Sequence, residues 1–269
     1  MGIGHYENFP VASILVPPRW RSAIREIYRF ARTADDIADE GDAPAAQRLG
    51  ELARMREVLT QIDYGTYPAS GPWAPLATEI RRHRLPIGLF ADLLSAFEQD
   101  ARGIVYHTYE DLYSYCRRSA NPVGRLLLAL YGREDVQALA WSDSICTGLQ
   151  LVNMWQDIAI DYAKGRVYVP QTEFERFGVQ PVQISQRTVS QPWSELVRAQ
   201  TKTARDLLLT GRPLARALGG RIGWELRLVI QGGLRIAARI DAVRGDIFRH
   251  RPTLNGLDWL RMAAHATAM

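Results

Sequence analysis

The sequence predicts an all-α protein folded as one domain over residues 1–269. Three observations carry that expectation. Apolar residues recur at steps of three and four along almost the whole chain, proline and glycine punctuate these periodic runs, and the one strand-like stretch, RVYVP from Arg166, is too short and isolated to build a sheet. With 47% hydrophobic and 23% charged residues, a chain of 269 residues can also bury a large core.

Pro17 and Pro18 open the first expected helix, in which Ile24, Ile27, Tyr28 and Ala31 share a face, and Gly41 with Pro44 closes it. Further helical patterns run over about 45–62, 86–102, 110–131, 135–164, 192–218 and 222–248, while 64–75 and 165–191 read as loops. No run approaches the roughly 20 apolar residues of a membrane span. The start, MGIGHYENFP, lacks a basic segment followed by an apolar one, so the expectation is a cytoplasmic protein without leader or anchor. Cys116 and Cys146 stand outside any CxxC pairing, which fits reduced thiols packed in the core. The net charge is +4, and the basic residues of the last third alternate with apolar ones at helical spacing, as on solvated helix faces. That pattern is compatible with peripheral contact at an anionic membrane surface, and no motif supports nucleic-acid binding.

Two acidic patterns depart from this ordinary background. In ARTADDIADEGDAP, the apolar line from Ile24 through Tyr28 and Ala31 continues onto Asp35 and Asp39, with Asp36 to its side, so two carboxylates extend a buried face near a helix end where negative charge is unfavourable. In SICTGLQLVNMWQDIAIDYAKGRVYVP, Gln150, Asn153, Asp157 and Asp161 fall in one line at steps of three, four and four, surrounded by Leu149, Leu151, Val152, Met154, Trp155, Ile158 and Ile160. A polar stripe on a helix apolar elsewhere must face an internal polar cavity or a buried network around arginine and lysine. Two inward Asp-x-x-x-Asp pairs suggest one strongly cationic ligand. Without histidine, and with no cysteine at ligand spacing, Mg²⁺ fits better than zinc. Mg²⁺ is commonly held by one or two carboxylates plus water and phosphate oxygens, so facing pairs point to a diphosphate bridged between metal ions.

YRFARTADDIADE and QLVNMWQDIAIDYAKGRVYVP, with YCRRSANPVGRLLL between them, resemble the motifs of the squalene and phytoene synthase family, which joins prenyl chains head to head. The resemblance implies the isoprenoid synthase fold, a helical bundle around a central apolar cavity capped by Mg²⁺ and a prenyl diphosphate substrate. It implies metal-binding roles for Asp35, Asp39, Asn153, Asp157 and Asp161. Tyr28 and Arg32 match the residues before the first motif, Arg166 and Tyr168 the Arg-x-Tyr after the second, and Tyr115 begins the middle motif; these five are the catalytic candidates. Guanidinium groups can take diphosphate oxygens as negative charge builds on the leaving group, and phenols can donate further hydrogen bonds. Gln150 and Arg251, the latter in FRHRP, are substrate-binding candidates, and Phe30, Phe90, Phe97 and Trp155 are candidate cavity walls.

Three departures narrow the resemblance. Gln156 stands where most members carry arginine, Asn121 and Pro122 alter the middle motif, and ENFPVAS replaces a serine-rich start. Together these resemble the bacterial hydroxysqualene synthase branch of hopanoid biosynthesis, with Gln156 and Asn121 added to the substrate-binding candidates. That branch accepts presqualene diphosphate from a sister enzyme and captures the resulting cation with water, so NADPH is not expected. A stand-alone squalene, dehydrosqualene or phytoene synthase is the alternative within the family. A noncatalytic lipid-binding or assembly factor of the same fold is the alternative outside it.

Overall fold

A computed structural model describes residues 16–249 and 251–269. Helices dominate it, and no strand occurs among the described residues. In chain order they are α1 (Pro18–Asp39), α2 (Ala45–Asp63), α3 (Ala74–His83), α4 (Ile87–Arg102), α5 (Tyr109–Ser119), α6 (Asn121–Tyr131), α7 (Val136–Ala163), α8 (Gln171–Phe177), α9 (Val182–Ser185), α10 (Gln191–Gly211), α11 (Pro213–Leu218), α12 (Gly220–Ala242) and α13 (Gly256–Ala268).

Prolines account for two differences from the expected elements. The helix expected over 110–131 breaks at Ala120 because Pro122, in the first turn of α6, has no N–H to continue the ladder of α5. Pro213 separates α10 from α11 in the same way. Helices α3 and α13 and the short α8 and α9 were not expected. Their apolar periodicity is brief, and their ends rest on local devices such as the Asn255–Asp258 capping box that opens α13. RVYVP is irregular, and Tyr106 and His107 carbonyls accept hydrogen bonds from Gln171 and Thr172 just beyond it.

The core has two parts. One gathers α1 to α4 with Leu126 and Leu130 of α6, around Phe30, Leu52, Phe90 and Leu94; the other gathers α5, α7, α10 and α12, around Leu151, Trp155, Trp193 and Ile236. Helix α6 bridges them, packing on α1 and α4 on one side and on α5 and α7 on the other, and α7 packs in turn on α10 and α12.

Its contact with α10 is unusually close at Gly211, where an added Cβ would stand 2.5 Å from the Trp141 carbonyl oxygen and against Ile145. Gly211→Ala is therefore expected to cost about 2 kcal/mol, overpacking outweighing the helix-propensity gain, and to lower the melting temperature by about 4 °C. A thermal melt checks this.

Candidate functional site

Helices α1 and α7 bring their acids to one cavity of about 650 Å³. From α1 come Tyr28, Arg32, Asp35 and Asp39, and from α7 come Gln150, Asn153, Asp157 and Asp161. Tyr115 of α5 joins them, together with Arg166 and Tyr168 from the segment after α7. The rest of the wall is largely apolar, with Ile24, Ile27, Phe97, Leu127, Leu149 and Leu226 among its residues. The polar line of α7 runs two turns farther than the sequence reading took it, through Cys146 and Ser142. Gly124 of α6 lies against these two side chains: an added Cβ would stand 2.6 Å from the Cys146 sulfur and closer still to the Ser142 hydroxyl.

Basic side chains divide the acids into two kinds. Arg166 and Lys164 reach Asp39, the lysine at 3.4 Å. Arg251 grips Asp157 in fork fashion at 2.5 and 3.1 Å. Burial raises the Asp39 pKa, but the Arg166 hydrogen bond and charge outweigh it with help from Lys164, leaving Asp39 below the usual carboxylate range. Asp35 and Asp161 behave oppositely. Burial, reinforced by Asp39 in the first case and Asp157 in the second, raises each to about 7. Arg32 is 3.1 Å from Asp35 and 2.7 Å from Asp36 but sits partly in solvent, so it does not reverse the shift.

The sequence reading missed Asp100 of α4. Its carboxylate accepts hydrogen bonds from Tyr115 at 2.7 Å and Tyr168 at 3.2 Å, and it lines the cavity. Burial raises its pKa to about 6, while Arg166 and the two phenols pull the other way. Tyr106, Tyr115 and Tyr168 form a ring cluster with centroids 5.6 to 5.7 Å apart, so Asp100 fixes two phenols whose rings already pack together. A signal was present: Phe90, Leu93, Phe97 and Asp100 follow steps of three, four and three, so one acid ends a buried stripe.

Three expected substrate-binding residues and most expected wall residues lie elsewhere. Gln156 is buried but does not line the cavity. It sits about 100° around α7 from Asp157, and its amide donates to the Pro252 carbonyl, tying α7 to the segment before α13. Asn121 is buried and accepts a 3.0 Å hydrogen bond from Thr147, locking the start of α6 to α7. Arg251 touches the site through Asp157 and is not itself part of the cavity wall. Phe97 lines the cavity, whereas Phe30, Phe90 and Trp155 are core residues outside its wall. ENFPVAS lies outside the described residues.

The donor set is chemically suited to a hard cation: four carboxylates and an amide, with no sulfur or imidazole ligand among them. The pKa values of Asp35 and Asp161 are raised by burial first and by a neighbouring carboxylate second, and a cation at the site would offset both. Among the described residues no three acidic, histidine or cysteine side chains converge on one point. That geometry suits a cation taking part of its ligands from each motif and the rest from water or phosphate, and does not suit an all-protein cage.

A family profile for squalene/phytoene synthase matches residues 4–258. A hydroxysqualene synthase from Zymomonas mobilis is 34% identical over 231 residues, 85% of this chain and 77% of that protein. Another from Sinorhizobium fredii is 30% identical over 97% of this chain and 88% of its own length. The crystal structure of squalene synthase HpnC from Alicyclobacillus acidocaldarius superposes with a TM-score of 0.82 at 35% identity, covering 89% of this chain and 90% of that one. The family match over most of the chain, the identity to these relatives and the shared fold together show that the chain belongs to the squalene/phytoene synthase family of enzymes.

Proposed function

We propose that this protein converts presqualene diphosphate to hydroxysqualene with Mg²⁺, within hopanoid biosynthesis. One observation carries the reading: the cavity joins an acid-and-arginine end to an apolar compartment, in a chain 30 to 34% identical to relatives named hydroxysqualene synthase. Such a cavity suits a substrate with an anionic head and a long hydrocarbon body. Mg²⁺ held by Asp35, Asp39, Asn153, Asp157 and Asp161 would supply Lewis-acid stabilisation of the departing diphosphate.

The chain's own residues do the remaining work. Arg166 and Arg32 stand where guanidinium groups can take diphosphate oxygens, and Tyr115 and Tyr168, held by Asp100, keep their phenols fixed beside the same end. The apolar wall keeps bulk water from the cyclopropylcarbinyl cation while it rearranges. Capture by water changes no oxidation state overall, so NADPH is not required. A sister enzyme joining two farnesyl diphosphates would supply the substrate, and the greasy product suits release at a membrane surface by a cytoplasmic enzyme. No helix among the described residues is long and apolar enough to cross a membrane, so that contact would be peripheral.

The relative whose structure is called a squalene synthase favours a second reading, squalene as the product. Product analysis separates the two. Purified protein with Mg²⁺ is incubated separately with presqualene, farnesyl and geranylgeranyl diphosphates, each with and without NADPH. Hydroxysqualene from presqualene diphosphate alone, unchanged by NADPH, is expected. Efficient condensation of farnesyl or geranylgeranyl diphosphate without a partner would overturn the reading.

A further inference from the structure

Water capture of a cation inside an apolar cavity needs one water held by polar groups, since an unanchored water has no reason to enter. Ser119, the last residue of α5, lines the cavity. Its hydroxyl is buried and has no hydrogen-bond partner among the described residues. That is unusual for a helical hydroxyl in this protein. Thr33, Ser95 and Thr201 each donate to the carbonyl four residues back, at 2.8, 3.0 and 2.7 Å, as short hydroxyl side chains in helices commonly do. Three other hydroxyls near the same cavity are committed. Tyr115, one turn earlier on α5, donates to Asp100, Ser142 pairs with Cys146, and Thr147 donates to Asn121. Ser119 therefore keeps both its donor and its acceptor capacity for something inside the cavity, at the break between α5 and α6, while the Gln150 amide lines the same space from α7.

We propose that the Ser119 hydroxyl is the positioning residue for the water that ends the reaction; the proposal rests on the water-capture reading above. The water oxygen donates a lone pair to the cationic carbon and forms the new C–O bond. One of its protons passes to the diphosphate already released, leaving the neutral alcohol. Ser119 accepts a hydrogen bond from that water, or donates one to it, and is unchanged at the end.

The test measures the ratio of alcohol to hydrocarbon formed from presqualene diphosphate and Mg²⁺ by the full chain, a ratio independent of how far total consumption falls. Ser119→Val, which fills the space without a hydroxyl, is expected to lower this ratio about tenfold, the value of roughly one hydrogen bond to the captured water. Ser119→Ala should lower it in the same direction, and Ser119→Thr should restore it. An unchanged ratio in the valine or alanine variant overturns the proposal. So does an equal fall in all three variants, which would mark a packing role. If valine does not fold, the alanine and threonine pair decides by the same criteria. Failure of the unsubstituted protein to make alcohol from presqualene diphosphate overturns the underlying reading instead, and is recognised before any variant is compared.

Discussion

Replacing Asp35 or Asp161 with asparagine is expected to reduce product formation about a thousandfold or more, while the metal-free protein melts about 2–4 °C higher. The two effects have one cause. Both carboxyls have pKa values raised to about 7 by burial and by a neighbouring carboxylate. Between the ordinary value of 3.8 and about 7, the folded protein holds protons that the unfolded chain has released. Stability from these two groups is therefore greatest at low pH and falls as pH rises through that window. At pH 8 each ionised carboxylate opposes folding by about 1 kcal/mol, after discounting for the solvent that still reaches them. An amide keeps the shape and removes the charge. Thermal melts at pH 5 and pH 8, with and without Mg²⁺ and inorganic diphosphate, check the sign: the asparagine gain should appear at pH 8, shrink at pH 5, and be accompanied by a smaller stabilising response to the added ions. Activity retained in both variants would remove the case for a metal at this site. Asp157→Asn differs, because Arg251 already balances that carboxylate, and its loss of activity should come without a gain in stability.

Arg166→Gln is expected to damage stability and activity together. The guanidinium is largely buried, bonds Asp39, and lies 3.5 Å from the Ala38 carbonyl. Its removal leaves Asp39, with 18% of its side chain exposed, facing only Lys164. The cost should be about 2–3 kcal/mol at pH 7, below the range for a fully isolated buried charge because the lysine remains. Activity should fall about a thousandfold through loss of the guanidinium from the diphosphate end. The pH dependence identifies the cause. Asp39 has a lowered pKa, so its contribution to stability is present above the unfolded carboxylate value and is lost as pH falls through the folded one. Urea denaturation at pH 7 and near pH 3 should show the difference between variant and parent shrinking at the lower pH. Arg166→Lys, which keeps the charge and loses the fork, should recover most of the stability and little of the activity. An equal stability deficit at both pH values would show that packing, not charge, was lost.

The two acidic stripes were legible because helical periodicity acts over one or two turns. Once Ile24, Tyr28 and Ala31 define a face, Asp35 and Asp39 must share it, and the same holds for Gln150 through Asp161. Asp100 obeys the same rule and was passed over, since a single acid ending an apolar stripe lacks the paired pattern that drew attention to the others. The breaks at Ala120 and before Pro213 were written in the prolines but overridden by long apolar patterns on either side. What periodicity does not contain is distance across the fold. Arg166 meets Asp39 over 127 residues of chain, and Arg251 meets Asp157 over 94. Gln156, taken as a substrate-binding candidate because it stands where most family members carry arginine, is turned away from the cavity by one helical step from Asp157, a placement the motif alone does not show.

The pairing of Asp39 with Arg166 and of Asp157 with Arg251 means that each motif carries its own counterion. The other acid of each motif, Asp35 or Asp161, has no such arginine fork, and burial with a neighbouring carboxylate raises its pKa to about 7. On the reading proposed above, a cation and a diphosphate arriving together would enter by exchange: Arg166 would leave Asp39 for a phosphate oxygen, and Asp39 and Asp157 would turn to the metal. The same trade run backward would return Arg166 to Asp39 as the diphosphate leaves, so that neither is left as an unpaired buried charge.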